Sequence, residues 1–182
     1  MNEDSFLTVE AALARVLSFA QSGAKEKVAL ESAIGRVLAT EVVANRDQPP
    51  YDVSAMDGFA LQAADLGPGS PPLTVIEDIK AGDQPRHQVN AGQCARIMTG
   101  APLPPGADAV LRVEDTLVLP DGRIECRKEV TPGNDIRRRG EGMQNGQVLL
   151  VPGTLITPGV VGILATAKCV LVEVFRRPRV AI

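Results

Sequence analysis

Four clusters of side chains in this 182-residue chain could do chemistry. The first is Asp52, Ser54 and Asp57, which follow Pro49-Pro50 and end at Gly58. Two carboxylates and a hydroxyl on a stiff loop can hold Mg²⁺ with its waters retained, or position a nucleophilic water. The same composition also makes Asx-turns, in which an Asp bonds its own backbone. The second cluster is Arg96-Ile97-Met98-Thr99-Gly100-Ala101-Pro102. A Thr hydroxyl beside a Gly amide is a donor pair for an oxyanion or a phosphate; the alternative is a strand end running into a rigid turn. The third is Arg137-Arg138-Arg139-Gly140-Glu141, where three adjacent guanidiniums repel one another unless an anion or several carboxylates lie across from them. Bidentate oxyanion contacts and internal pairing with Asp135, Glu141 or more distant acidic residues both satisfy that need. The only histidine, His87, has polar neighbours and no carboxylate or Cys at ligand spacing, and reads as a surface residue. Neither a GxxxxGK[ST] phosphate loop nor a G-x-S-x-G elbow occurs.

The elements that must position these groups are short. Val9, Leu13, Val16, Leu17 and Ala20 share one helical face, with Thr8 placed to cap the start and Gly23 to stop the helix. Lys27 to Leu30 reads as a strand, Glu31 to Ile34 as one helical turn closed by Gly35, and Val37 to Ala44 as an extended run. Residues 51–58 show neither period, which predicts an irregular exposed loop. Strands are expected at 73–80, 94–98, 109–113, 116–119 and 123–128, the last two joined by Pro120-Asp121-Gly122. After a strand at 148–151, Thr157 and Pro158 start a second helix, and 169–175 is another strand. The run Arg179-Val180-Ala181-Ile182 begins a further apolar segment.

The fold class is therefore mixed α and β, mainly β. An extended, discontinuous helix and strand domain (1–47 plus 147–177) carries an inserted small all-β domain (48–146), with 178–182 expected to begin a third domain that the chain cuts short. Composition excludes several functions. A net charge of −3 and 3% aromatic residues oppose nucleic-acid and membrane surfaces, which need clustered basic charge, and nucleic acid also needs stacking aromatics. The charge is uneven, acidic up to residue 120 and basic beyond it, so the later part is suited to a small anion. Three cysteines without a C-x-x-C pair suggest neither a disulfide framework nor a thiolate zinc site. The start lacks a signal-peptide pattern, and a reduced, cytoplasmic protein is expected.

Taken together, five stretches resemble the N-terminal part of the MoeA-type molybdopterin molybdenumtransferase family, which includes the C-terminal region of gephyrin. They are Gly35-Arg36-Val37-Leu38-Ala39, Ser54-Ala55-Met56-Asp57-Gly58-Phe59-Ala60, Arg96-Ile97-Met98-Thr99-Gly100-Ala101-Pro102, Asn134-Asp135-Ile136-Arg137-Arg138-Arg139-Gly140-Glu141 and Arg177-Pro178-Arg179-Val180-Ala181-Ile182. They fall in the family's order across nearly the whole chain. The resemblance implies an enzyme of molybdenum cofactor synthesis that inserts molybdate into the dithiolene of adenylylated molybdopterin, with Mg²⁺ and release of AMP. It implies a homodimer, a molybdopterin adenylyltransferase upstream and molybdoenzymes downstream.

Carried across by position, the resemblance makes Asp57 and Thr99 the catalytic candidates, with Asp57 the Mg²⁺ candidate. Ser54, Gly100, Arg137, Arg138 and Glu141 are the substrate-binding candidates, the Thr99 hydroxyl and Gly100 amide together holding an oxyanion. The sequence departs from the family at Val53, where Asn is usual, at Phe59 (Tyr), at Gly142 (Asp) and at Lys168 (Gly). Val53 and Gly142 remove two polar groups, and a non-glycine at 168 predicts a different helix ending, since a left-handed residue there is strained. Two alternatives stand beside the enzyme: a dimerisation or scaffolding module of the gephyrin type, and a diverged, non-catalytic anion-binding paralogue.

Overall fold

The structure is a computed structural model and describes residues 7–179; the apolar run expected at 179–182 lies, past Arg179, outside them. Strands and helices are numbered here in chain order. The chain divides into two compact units, one running up to Val43 and resuming at Val148, the other Ala44–Gln147.

Helix α1, Val9–Ser18, starts where its cap predicts, with the Thr8 hydroxyl accepting the Ala11 N–H (3.2 Å). It ends at Ser18, before Gly23. The Ser18 hydroxyl donates to the Arg15 carbonyl, and the Phe19 and Ala20 amides bond three residues back, which tightens and closes the last turn. None of its residues is buried, and its apolar stripe is open, Val9 at 79% and Val16 at 68% exposure.

In the same unit β1 (Lys25–Ala29) pairs antiparallel with β12 (Leu171–Phe175), and β2 (Val42–Val43) with β11 (Val148–Leu150). The long extended run expected over 37–44 is mostly held by single bridges, Val37 to Leu155 and Leu38 to Val174. Helix α2, Pro158–Thr166, is capped by the Thr157 hydroxyl with Pro158 at its first position. Leu38, Ile156, Leu164 and Val174 form the core, with Cys169 packed against it.

The expected change of helix ending at Lys168 does not occur. Lys168 adopts φ +58°, its N–H bonds the Ala165 carbonyl (2.9 Å), and the Cys169 N–H bonds the Leu164 carbonyl (2.9 Å). This is the Schellman closure usually given to Gly. Two hydrogen bonds and the packing of Cys169 against the core hold the left-handed turn against its strain.

The second unit centres on a four-stranded sheet in the order β5 (Thr74–Ile79), β6 (Gln93–Ile97), β4 (Gly58–Leu61), β7 (Ala109–Arg112). Only the β5–β6 pair is parallel. Alternate residues feed two cores. Phe59, Leu61, Cys94 and Leu111 face one; Ala60, Ala95, Ile97 and Val110 face the other. Strands β8 (Thr116–Val118) and β9 (Ile124–Cys126) make the expected hairpin. The loop expected over 51–58 is partly ordered: Val53 and Ser54 form β3, buried at 4% and 1%, against β10 (Ile136–Arg137). Val53 is thus a core residue, and Phe59 is buried at 4%; both departures from the family pattern suit apolar surroundings.

Candidate functional site

Asp57 lies one residue before β4, and Thr99 lies in the turn after β6, the neighbouring strand. The pairing Gly58↔Ile97 brings the two together across 42 residues of sequence. Asp57 Oδ1 accepts both the Thr99 main-chain N–H (2.7 Å) and the Thr99 hydroxyl (2.7 Å). These two bonds, the amide first and the hydroxyl second, hold the exposed Asp57 carboxyl below the usual carboxylate range, with the Arg96 charge adding to them. Asp57 is therefore ionised at neutral pH, and Oδ2 lies outside the pair.

Gly58 is required by close approach. A Cβ there would stand 2.1 Å from the Leu111 carbonyl oxygen of β7, so the motif's glycine lets two backbones meet directly beside Asp57. Val113, the first residue after β7, donates its N–H to the Asp57 carbonyl (3.1 Å).

Two of the expected substrate ligands are occupied elsewhere. The buried Ser54 hydroxyl donates to the Met56 carbonyl and accepts the Met56 N–H (3.3 Å), a local turn that shapes the loop. The Gly100 N–H donates to the Ser54 carbonyl (2.8 Å), with Gly100 at φ +81° as the turn residue. Because the Thr99 hydroxyl also points its proton at Asp57, the expected Thr99 and Gly100 oxyanion cradle is not formed. Its donors are already bonded within the protein.

The three arginines are each met by a carboxylate. Arg138 Nη1 donates to Asp52 Oδ2 (2.7 Å), the Arg139 main-chain N–H donates to Asp52 Oδ1 (2.8 Å), and Arg139 Nε donates to Asp47. Asp47 also accepts the Asn145 N–H (2.8 Å). Both carboxyls are held below their ordinary range, chiefly by the amides of Asn145 on Asp47 and Arg139 on Asp52. This grip follows from the backbone: Gly140 and Gly142 donate to the Pro49 and Gln48 carbonyls, so residues 138–143 run beside 47–52. Glu141 accepts the Arg138 N–H (2.9 Å) and stands 3.8 Å from Arg137 Nε. Arg137 thus has the loosest pairing of the three, and its half-exposed guanidinium is the one least engaged by the protein's own carboxylates. Asp135, expected among the partners of the trio, instead pairs with Arg112, which sequence reasoning did not single out. No local pattern signals that pair, because its members are 23 residues apart.

His87 is exposed. Among the described residues no group of three or more His, Cys, Asp or Glu side chains could hold a metal ion. The donor set at Asp57, one ionised carboxylate with a spare oxygen, does not make an all-protein cage. It does fit Mg²⁺ held mainly by waters and substrate oxygens, the usual arrangement for that ion.

Comparison with known proteins matches residues 7–167 to the MoeA N-terminal region (domain I and II). The molybdopterin molybdenumtransferase of Bacillus subtilis (strain 168) is 38% identical over 183 residues, covering 97% of this chain and 43% of that protein. That of Staphylococcus aureus (strain Mu50 / ATCC 700699) is 36% identical, with 97% and 43% covered. The chain thus spans less than half the length of these relatives. Among solved structures, a molybdopterin biosynthesis moeA protein from Pyrococcus horikoshii OT3 matches at TM-score 0.78 and 36% identity, over 83% of this chain and 41% of that one. A second structure, of a molybdopterin biosynthesis moea protein from Pyrococcus horikosii, matches at TM-score 0.80 and 33% identity, over 96% of this chain and 45% of that one.

Proposed function

The chain belongs to the MoeA N-terminal region family, and on that premise we propose that it is the front part of a molybdopterin molybdenumtransferase working in molybdenum cofactor synthesis. The parent protein inserts molybdate into the dithiolene of adenylylated molybdopterin and releases AMP. It acts in the cytoplasm as a homodimer, receives its substrate from a molybdopterin adenylyltransferase and supplies molybdoenzymes. The uncovered apolar stripe of α1 (Val9, Leu13, Val16, Leu17) supports a second copy as its cover.

The observation that carries the reading is the Asp57–Thr99 clamp. It holds an ionised carboxylate on the surface with one oxygen unengaged among the described residues, next to a strand junction too tight for any residue but Gly. Asp57 would hold Mg²⁺, which when bound polarises phosphoryl or molybdate oxygens as a Lewis acid. Thr99 acts through Asp57, fixing its orientation and keeping it charged. Arg137 attracts the anionic substrates, while Arg138 and Arg139, bonded to Asp52 and Asp47, hold the segment that presents it.

The internal pairing of Arg138 and Arg139 weighs equally on the enzyme and on the non-catalytic anion-binding paralogue, and one assay separates the two. In the full-length parent, Asp57→Ala should lower molybdate-dependent AMP release by at least about 100-fold, as for loss of a positioned charged group, and Thr99→Ala by about 10-fold, as for loosening one. Rates near wild type in both variants would show that these roles are wrong. A wild-type parent without turnover would leave the paralogue.

A further inference from the structure

Arg112 ends β7, and Asp135 sits at the turn before β10 with φ +49°, a left-handed backbone that few non-glycine residues keep. Arg112 Nε donates to Asp135 Oδ2 (2.8 Å) and Nη2 to Oδ1 (3.0 Å), a bidentate fork that fixes both distance and angle. Asn134 Nδ2 donates to Oδ2 as well (3.1 Å) and to the Val110 carbonyl (2.8 Å). The Arg112 fork comes first among the causes that hold the Asp135 carboxyl below its usual range.

The main chain at the same two points carries the Asp57 loop. The Asp135 carbonyl accepts the Ala55 N–H (2.8 Å), and Val113, next to Arg112, donates to the Asp57 carbonyl (3.1 Å). Residues 55–57 are thus suspended between Asp135 and Val113, and the Arg112 fork joins those anchors. Arg137 follows Asp135 by two residues, in β10. We propose that Arg112 and Asp135 form a positioning brace that sets the Asp57 carboxylate and the Arg137 guanidinium in register for the reaction. They act through the loop and touch no substrate. This rests on the catalytic reading given above.

Left-handed backbone at a non-glycine persists where surrounding bonds over-determine it, and such places concentrate at functional sites. Four bonds meet at Asp135: three on its carboxylate and one on its carbonyl. Displacing a reacting group by about 1 Å can lower a rate on the order of 100-fold, so a brace outside the site controls turnover.

Three variants of the full-length parent isolate the effect. Asp135→Gly keeps the positive φ and deletes the carboxylate; Asp135→Asn keeps an acceptor for Arg112 and tolerates the same backbone; Arg112→Lys replaces the fork with a point charge. Asp135→Gly should lower kcat for molybdate-dependent AMP release about 10–100-fold with the molybdate KM within about 3-fold, the signature of a misplaced catalytic group. Asp135→Asn should recover most of that rate, and Arg112→Lys should fall between. The brace is wrong if Asp135→Gly keeps kcat within about 2-fold, if Asp135→Asn is no better than Asp135→Gly, or if normalising to the folded fraction restores the rate. Asp57→Asn in the same assay separates the two failures. Full activity there sinks the catalytic reading itself, whereas loss there with an active Asp135→Gly sinks only the brace.

Discussion

Gly58→Ala is the sharpest steric test of the site. Gly58 has no positive φ among the glycines that do, so the substitution adds a methyl group without backbone strain. That methyl would lie 2.1 Å from the Leu111 carbonyl oxygen, 2.9 Å from its carbon and 3.1 Å from the Arg112 Cα. All three are backbone atoms that cannot rotate away. Strands β4 and β7 must separate by about 1 Å before the closest contact reaches the shortest distance real structures show. Overpacking of this kind costs about 1–3 kcal/mol, and for a unit of about 100 residues each kcal/mol lowers Tm by roughly 4–8 °C. The same separation lengthens the Val113 N–H to Asp57 carbonyl bond. Thermal unfolding followed by circular dichroism, with hydrogen exchange at the Val113 amide, reads both effects on the chain as it stands. Gly162→Ala is the matched control: Gly162 lies inside α2 with nothing within 4 Å of its Cβ position, and alanine there should stabilise by about 0.5–1 kcal/mol. A Gly58→Ala protein that melts within about 1 °C of wild type, with Val113 exchange unchanged, would refute the close-approach account.

Two further outcomes are expected. Lys168→Gly should raise stability by about 0.5–1 kcal/mol, because relief of left-handed strain, roughly 1–2 kcal/mol, exceeds the added freedom of Gly in the unfolded chain; a denaturant midpoint that falls would contradict the Schellman ending. Thr99→Ala keeps the amide on Asp57 and deletes the hydroxyl, so the Asp57 titration followed by carboxyl NMR should move up toward the ordinary range. A carboxyl whose pKa is lower folded than unfolded contributes stability above the ordinary carboxylate range and loses it as pH falls through the folded value. The wild-type advantage over Thr99→Ala should accordingly be present at neutral pH and close in strong acid; a gap that persists in acid would assign it to packing.

Local signals made much of the architecture legible. The capped start of α2, the β8–β9 hairpin at Pro120-Asp121-Gly122, and strands β5 to β7 all follow from spacing and turn chemistry within a few residues. Strand β4 did not. Gly58-Phe59-Ala60-Leu61 is buried on both faces, so no polar residue marks the alternation that identifies a half-exposed strand. The shared apolar face of α1 was legible from its spacing, but what covers it was not, and nothing within the described residues does. At the site, Asp57, Thr99 and the arginines were visible by type, but what they bond was not. Asp52 meets Arg138 across 86 residues and Asp47 meets Arg139 across 92. Only the sheet register and the run of 138–143 beside 47–52 create those contacts. For Ser54 and Gly100 the sequence shows a hydroxyl and an amide but not that the fold engages both in closing its own turns.

The division at Val43 and Val148 separates a unit continuous in sequence from one whose strands come from both sides of it. Strand β1 can find its partner β12 only after Leu171–Phe175 has been synthesised, whereas everything in Ala44–Gln147 is present once Gln147 emerges. For two ends about 100 residues apart, chain closure alone costs about 4 kcal/mol. Once the inner unit has folded, Ala44 and Gln147 are joined by an N–H to carbonyl bond of 2.8 Å, with the Gly146 N–H returning to Ala44 at 2.9 Å. That closure has then been met, and Val43 and Val148 emerge side by side as a ready hairpin stem.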